Sequence, residues 1–306
     1  MGGFDHLRVG QVNEGYWGAH TSECFPCEEN YTYSPYIAEF VNTLSNIPFI
    51  CLGLYGYYRV LQQSLPRRYG YLMLGLSIIG GGSGLFHMTL QWFWQLMDEL
   101  PMIYLVTYCG LLVFDTSPEF NTRLGGLAML ALDLFVTVSY IRAPNPIYHQ
   151  VAFGSLQLVS VSRIIYLIKY RLPPSSEHPA KKVIGDMLFR GVALFGIAFI
   201  IWNLDNLFCD TWRSLRVQVA PFGFMLEGHA FWHLGTGLGS YWIMTAATYL
   251  CLCVKTGVKT YEIKGSYLFP YVAPTNQASV GGKSEPLKDA TEKTPILRNA
   301  STKDKH

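Results

Sequence analysis

Charge is scarce in this sequence. Only 14% of its 306 residues are Asp, Glu, Lys or Arg, where a water-soluble domain carries about 25%. That shortage argues against an ordinary cytosolic enzyme. A surplus of one sign is missing too: the net charge is +2, which gives no electrostatic reason to bind nucleic acid. Seven cysteines in so long a chain exclude a disulfide-dense secreted scaffold, which would be far shorter. A cleavable leader is not expected, because residues 1–35 carry Asp5, Glu14, Glu23, Glu28 and Glu29 and no apolar run. No internal repeat is apparent.

What the chain does have is apolar length. Half of it is hydrophobic and 15% is aromatic. Long apolar stretches recur at 37–58, 71–90, 97–115, 124–141, 147–168, 188–208 and 229–254. Each approaches the ~20 residues needed to cross a ~30 Å hydrocarbon core. Breakers such as Pro66, Pro118, Pro144, Pro173 and Pro221 separate them. Backbone groups in lipid must be satisfied within their own segment, so the stretches are expected to be helices. The expectation is an all-α membrane protein with seven transmembrane helices.

Lys and Arg set the orientation. With the N-terminus outside, the inner side holds Arg59, Arg67, Arg68, Arg123, Lys169, Arg171, Lys181, Lys182, Arg190 and nine residues of the tail; the outer side holds Arg8, Arg142, Arg213 and Arg216. The bias predicts a lumenal N-terminus and a cytosolic C-terminus. Residues 1–36 read as a lumenal segment, 37–254 as the helical domain, and 255–306 as a cytosolic, largely disordered tail rich in Ser, Thr, Pro, Lys and Gly.

Polar groups inside membrane helices are costly, which makes them functional candidates. Ser83 and His87 lie four apart near the outer end of the second stretch. Asp98 and Glu99 open the third. His229 and His233 lie four apart at the outer start of the seventh. In an alternating topology all three sets fall at one depth. An i, i+4 histidine pair projects both rings from one helix face, and a third histidine completes the His₃ set of a catalytic zinc, with a position left for water. Hydrogen-bonded bundle residues or haem ligands are the alternatives. Asp98 is placed to accept a proton from an attacking water, or merely to cap its helix. Ser83 is placed to support an oxyanion. Glu28, Glu29 and Asn30, followed by Glu39, Asn42 and Asn46, offer hard oxygen ligands of the type calcium takes, or form a solvated acidic loop and a polar helix face. Asn30-Tyr31-Thr32 is also a glycosylation sequon. Asn203, Asp205 and Asn206 are expected to brace neighbouring helices, and His149 to stand behind the site. Cys27 and Cys209 fall on the outer side, where a disulfide is allowed, with Cys24 a competing partner.

CEENY (27–31), SPYIAEF (34–40), FHMTL (86–90), QLMDELPMIY (95–104) and HAFWHLGTGLGSY (229–241) resemble the alkaline ceramidase family of seven-helix membrane hydrolases. The resemblance covers about residues 14–255, and YLFPYV (267–272) is similar to fungal members. It implies zinc on His87, His229 and His233, catalytic Ser83 and Asp98, and calcium on Glu28, Asn30 and Glu39. The sequence departs from the family at Phe25-Pro26, where an acidic residue and a tryptophan belong. Pro26 keeps the main-chain carbonyl, the carboxylate is lost, and Glu23 lies close in sequence. The implied activity is hydrolysis of the ceramide amide to a sphingoid base and a fatty acid, in the endoplasmic reticulum or Golgi membrane. A seven-helix lipid receptor, a haem protein, or a related membrane hydrolase acting on another lipid amide are the rival readings.

Overall fold

The computed structural model describes residues 15–24 and 26–276. Among these, eight α-helices form: α1 (Phe40–Gln62), α2 (Arg67–Thr89), α3 (Trp92–Phe114), α4 (Thr122–Arg142), α5 (Pro146–Tyr170), α6 (Ala180–Leu207), α7 (Cys209–Gln218) and α8 (Gly228–Thr256). Six of them, α2 to α6 and α8, are long and apolar enough to cross a membrane. The first expected span corresponds to α1, which has the length but carries the polar series Asn42, Ser45 and Asn46, all buried. Local signals set several starts. Asn121 accepts from the N–H groups of Arg123 and Leu124 to open α4. Asn145 does the same for Ile147 ahead of α5, with Pro146 in the first turn. The short α7 was not expected; the sequence there reads as a connection between two spans.

α8 is the axis of the bundle. Its most apolar window is 83% buried, against 17% for α4 and for α5. It packs on α6 and α1, α1 on α2, and α2 on α3. Glycines permit the closest of these approaches: a Cβ on Gly239 of α8 would lie 2.8 Å from the Gly191 carbonyl of α6, the small-residue contact that packed membrane helices favour. α4 and α5 present Leu127, Leu130, Phe135 and Leu158 outward, as helices facing lipid do.

The N-terminal segment is woven into one end of the bundle. The last carbonyls of a helix lack partners of their own. At the end of α2 the segment supplies them: Glu39 N–H donates to His87 O (3.0 Å), Ala38 N–H to Met88 O (2.9 Å), and the N–H groups of Thr21 and Ser22 to Leu90 O (3.3 Å each). Glu28 performs the converse service for α1. Its two carboxylate oxygens accept from Val41 N–H (2.7 Å) and Asn42 N–H (2.8 Å). A Cys27–Cys209 disulfide, Cα–Cα 5.5 Å, ties the segment to the start of α7, as expected; Cys24 is free.

The first part of the expected tail is ordered: α8 continues to Thr256, and an antiparallel hairpin follows, β1 (Tyr261–Gly265) with β2 (Pro270–Pro274). Tertiary contacts hold it against the bundle. Trp242 Nε1 donates to Leu268 O (3.0 Å), Tyr241 Oη to Pro270 O, and the Arg59 guanidinium lies 3.3 Å from the Tyr271 ring centroid. The rest of the expected tail, from 277 on, lies outside the described residues.

Candidate metal centre

Ser83 and His87 stand one turn apart on α2, and His229 and His233 one turn apart on α8. The structure brings the three imidazoles together, with candidate ligand atoms all within 4.8 Å of one another. His87 and His233 are buried and His229 is half-buried. Among the described residues this is the one group of three or more His, Cys, Asp or Glu so gathered.

The hydrogen bonds behind two of the rings fix their tautomers. Glu39 Oε2 takes the Nδ1–H of His87 at 2.6 Å, so His87 Nε2 is bare; it is also buried and without a partner. Ser45 Oγ spends its proton on Asn42 O (2.8 Å) and accepts from His233 Nδ1–H at 2.7 Å, the shorter of two contacts to that nitrogen, the other being Asn46 Nδ2 at 3.2 Å. His233 Nε2 is therefore bare as well, 3.4 Å from Ser83 Oγ. Carboxylate and hydroxyl partners of this kind orient metal-binding histidines. His229 differs: its Nδ1 accepts from Trp202 Nε1–H at 3.0 Å, which leaves the ring proton on Nε2. A metal drawing on this ring must displace either that contact or that proton. The donor set of three neutral imidazoles, two of them presented lone-pair first, fits a divalent metal with nitrogen preference such as zinc.

Asp98 joins the cluster from α3, its carboxylate beside Ser83. Their meeting depends on Gly82. A Cβ there would lie 2.0 Å from Met97 O, so α2 and α3 touch backbone to backbone beside the site. Ser83, Asp98 and His233 line one end of a cavity. Away from them its walls are mostly apolar, with Phe49, Leu76, Met102, Leu105, Ile164 and Met244 among them. Such a chamber suits an alkyl chain whose polar end meets the histidines.

The acidic candidates are distributed rather than gathered. Glu39 is fully buried; Oε2 serves His87 and Asn42 Nδ2, and Oε1 has no partner. Glu28 is buried as the α1 cap. Burial and then the nearby Glu39 carboxylate push its pKa up to about 7, against the pull of the Val41 and Asn42 N–H groups and of Arg216. Asn30 is half-buried. Pro26 is half-buried and Glu23 exposed, its N–H donating to Gln95 Oε1 (2.8 Å). Phe25 lies outside the described residues. His149 stands beside α3, its Nε2 donating to Glu99 O (2.9 Å), and does not reach the trio.

Sequence reasoning missed Ser45 and Trp202, whose roles appear only when helices meet. It also missed the ion network that seats α8. Arg216 of α7 binds Asp205 Oδ1 (2.8 Å) and Glu227 Oε2 (2.9 Å) and donates to Cys27 O (3.1 Å). Asp205 in turn faces the N–H groups of Gly228 and His229 at the start of α8.

The ceramidase family profile matches residues 18–273. Alkaline ceramidase 3 of Mus musculus is 36% identical over 260 residues, covering 84% of this chain and 92% of that protein. Alkaline ceramidase YPC1 of Saccharomyces cerevisiae is 35% identical over 251 residues, 77% and 78% respectively. The alkaline ceramidase of Arabidopsis thaliana is 31% identical over 261 residues, 84% and 94%. The chain belongs to the ceramidase family.

The Glu39–His87 contact generates a test. Glu39→Gln removes the charge that holds the imidazole tautomer while keeping the shape. Metal affinity, measured by competition with a chromogenic chelator, should fall about 10- to 100-fold. Unchanged affinity would show that the contact does not support metal binding.

Proposed function

We propose that this ceramidase, a multi-pass membrane hydrolase, cleaves the ceramide amide at a zinc ion held by His87, His229 and His233, releasing a sphingoid base and a fatty acid. The observation that carries this reading is the pair of bare, buried imidazole nitrogens of His87 and His233, with His233 at the end of a largely apolar cavity. Zinc bound there supplies Lewis acidity, polarising the scissile carbonyl and acidifying water. The protein's own groups do the rest. Asp98 takes the proton lost as the water oxygen bonds to the carbonyl carbon, and returns it to the nitrogen as the C–N bond breaks. Ser83, next to Asp98 and His233, donates toward the developing oxyanion. The apolar walls hold an alkyl chain in line with the site and keep bulk water out.

α1 serves as a seventh span in this reading, its polar face turned inward to the site. The Lys/Arg bias supports a lumenal N-terminus and a cytosolic C-terminus, in the endoplasmic reticulum or Golgi. Glu28, Asn30, Glu39 and the Pro26 carbonyl are the groups that would hold calcium. The unpartnered Glu39 Oε1, and the repulsion between Glu28 and Glu39 that a cation would relieve, support that assignment.

Alanine in place of any of the three histidines should abolish ceramide hydrolysis and lower the zinc content of the purified protein, since a His₃ site has no spare ligand. Asp98→Asn should keep zinc and lose turnover by at least about 100-fold, the scale of general acid–base catalysis. Full activity in any histidine variant sinks the zinc assignment. For the calcium site, Phe25→Asp restores a carboxylate and should raise calcium affinity in titration calorimetry; no change, together with full activity of Glu39→Ala, ends that assignment. For the topology, protease added to intact microsomes should remove a C-terminal tag and spare an N-terminal one, and the reverse pattern refutes it.

A further inference from the structure

The hairpin after α8 does not hang from the end of the bundle; it doubles back along it. Tyr249 Oη donates to Tyr261 O (3.3 Å) at its base, and Trp242 Nε1 to Leu268 O (3.0 Å) at its tip. Trp242 lies 14 residues before Thr256, the last of α8, a return of ~21 Å. On α1, Tyr55 donates to Phe269 O (3.4 Å) and lies seven residues before Gln62, ~10 Å from that helix's end. The Arg190 guanidinium of α6 lies 4.0 Å from the Tyr267 ring centroid. The tip therefore stands roughly 10–20 Å inside the bundle's end.

Composition changes along the hairpin. Glu262 and Lys264 of β1 pair with each other (3.2 Å). From Gly265 to Pro274 no residue is charged. Three consecutive tip side chains are then exposed: Tyr267 by 68%, Leu268 by 48% and Phe269 by 45%. Next to Tyr55 and Arg190 in sequence, Leu54 on α1 and Phe189 on α6 are exposed as well. An apolar surface continuous with that of membrane-crossing helices calls for the same solvent.

Non-helical backbone is tolerated at membrane depth only where protein satisfies its polar groups. The tip meets that condition. The carbonyls of Leu268, Phe269 and Pro270 accept from Trp242 Nε1, Tyr55 Oη and Tyr241 Oη, and Phe269 N–H donates to Ser266 Oγ (3.1 Å). Arg59 stacks on Tyr271 as Arg190 does on Tyr267. Cations on long apolar stems beside aromatic rings suit the boundary between headgroups and acyl chains.

We propose that the hairpin is a re-entrant membrane anchor. Tyr267, Leu268 and Phe269 contact acyl chains in the leaflet remote from the metal centre, while Arg59, Arg190 and Lys264 lie at its headgroup level. The first part of the tail is thus a lipid-contacting element, a role separate from hydrolysis and independent of the zinc reading.

The test uses the purified full chain in phosphatidylcholine vesicles. Cys51, the exposed free cysteine, is replaced by Cys51→Ser. A nitroxide is then attached through Leu268→Cys, and the signal of the Cys51→Ser parent is subtracted. Leu130→Cys on α4 gives the lipid reference, and Ser176→Cys in the exposed α5–α6 connection gives the water reference. Collisions with dissolved oxygen, which favours lipid, are compared with those of a water-soluble nickel chelate. The oxygen-to-nickel ratio at 268 should match that at 130 and exceed that at 176. Phe269→Cys supplies a second label should the first disturb the hairpin. A ratio like that at 176 puts the tip in water and overturns the proposal. A label shielded from both reagents means that protein, such as a second copy of the chain, covers the tip, and overturns the assignment to lipid.

Discussion

A single buried contact, the Glu39 carboxylate on the His87 imidazole, joins the two halves of the molecule's problem. Glu39 reaches His87 because its own N–H donates to the His87 carbonyl. One residue thus closes the end of α2 and orients the side chain that α2 presents. The N-terminal segment is therefore part of the candidate metal centre and not a cover laid over it. Glu28 then fixes the first turn of α1 through Val41 and Asn42, and Asn42 and Ser45 pass that order to His233. Backbone satisfaction at helix ends and side-chain geometry at the site are the same set of bonds.

Much of this was legible in the sequence, and the reasons are specific. Helix periodicity places His229 beside His233 and Ser83 beside His87. Alternation of direction then sets Ser83, His87, Asp98 and the α8 pair at one depth, because a helix rises by a fixed amount per residue. The family resemblance rested on those residues and was right. What the sequence hid depends on contacts between distant segments. Ser45 is unremarkable until α1 meets α8. Arg216 looks like an outer-side charge until α7 turns it onto Asp205 and Glu227. The hairpin at 261–274 has short, mixed strands whose order comes from Trp242, Tyr241 and Arg59, so composition alone reads it as loose.

The bundle also divides its labour between a stiff side and a yielding one. α1, α2, α6 and α8 pack through small residues and buried polar groups, and they carry all three histidines and their supports. α4 and α5 bury little, with Asp133, Val136 and Tyr140 on one and His149, Ser160, Ile164 and Leu167 on the other. Yet α5 supplies a wall of the cavity. The three histidines and their supports sit on the densely packed side, and one wall of the cavity belongs to the sparsely packed one. Contact density of this kind separates regions that open readily from those that do not.

The Cys27–Cys209 bond spans 182 residues, and the histidines come from the second and the last long helix. At ~5–20 residues per second of synthesis, roughly 10–40 s pass between the ribosome's arrival at one cysteine and at the other. For most of that interval Glu39 and His87 exist without His229 and His233, and the N-terminal segment has no α7 to be tied to. Competence thus arrives with the final helix, as an all-or-none event in biogenesis. A truncated chain leaving the ribosome early is not a weak enzyme but a membrane-bound fragment with one histidine of three.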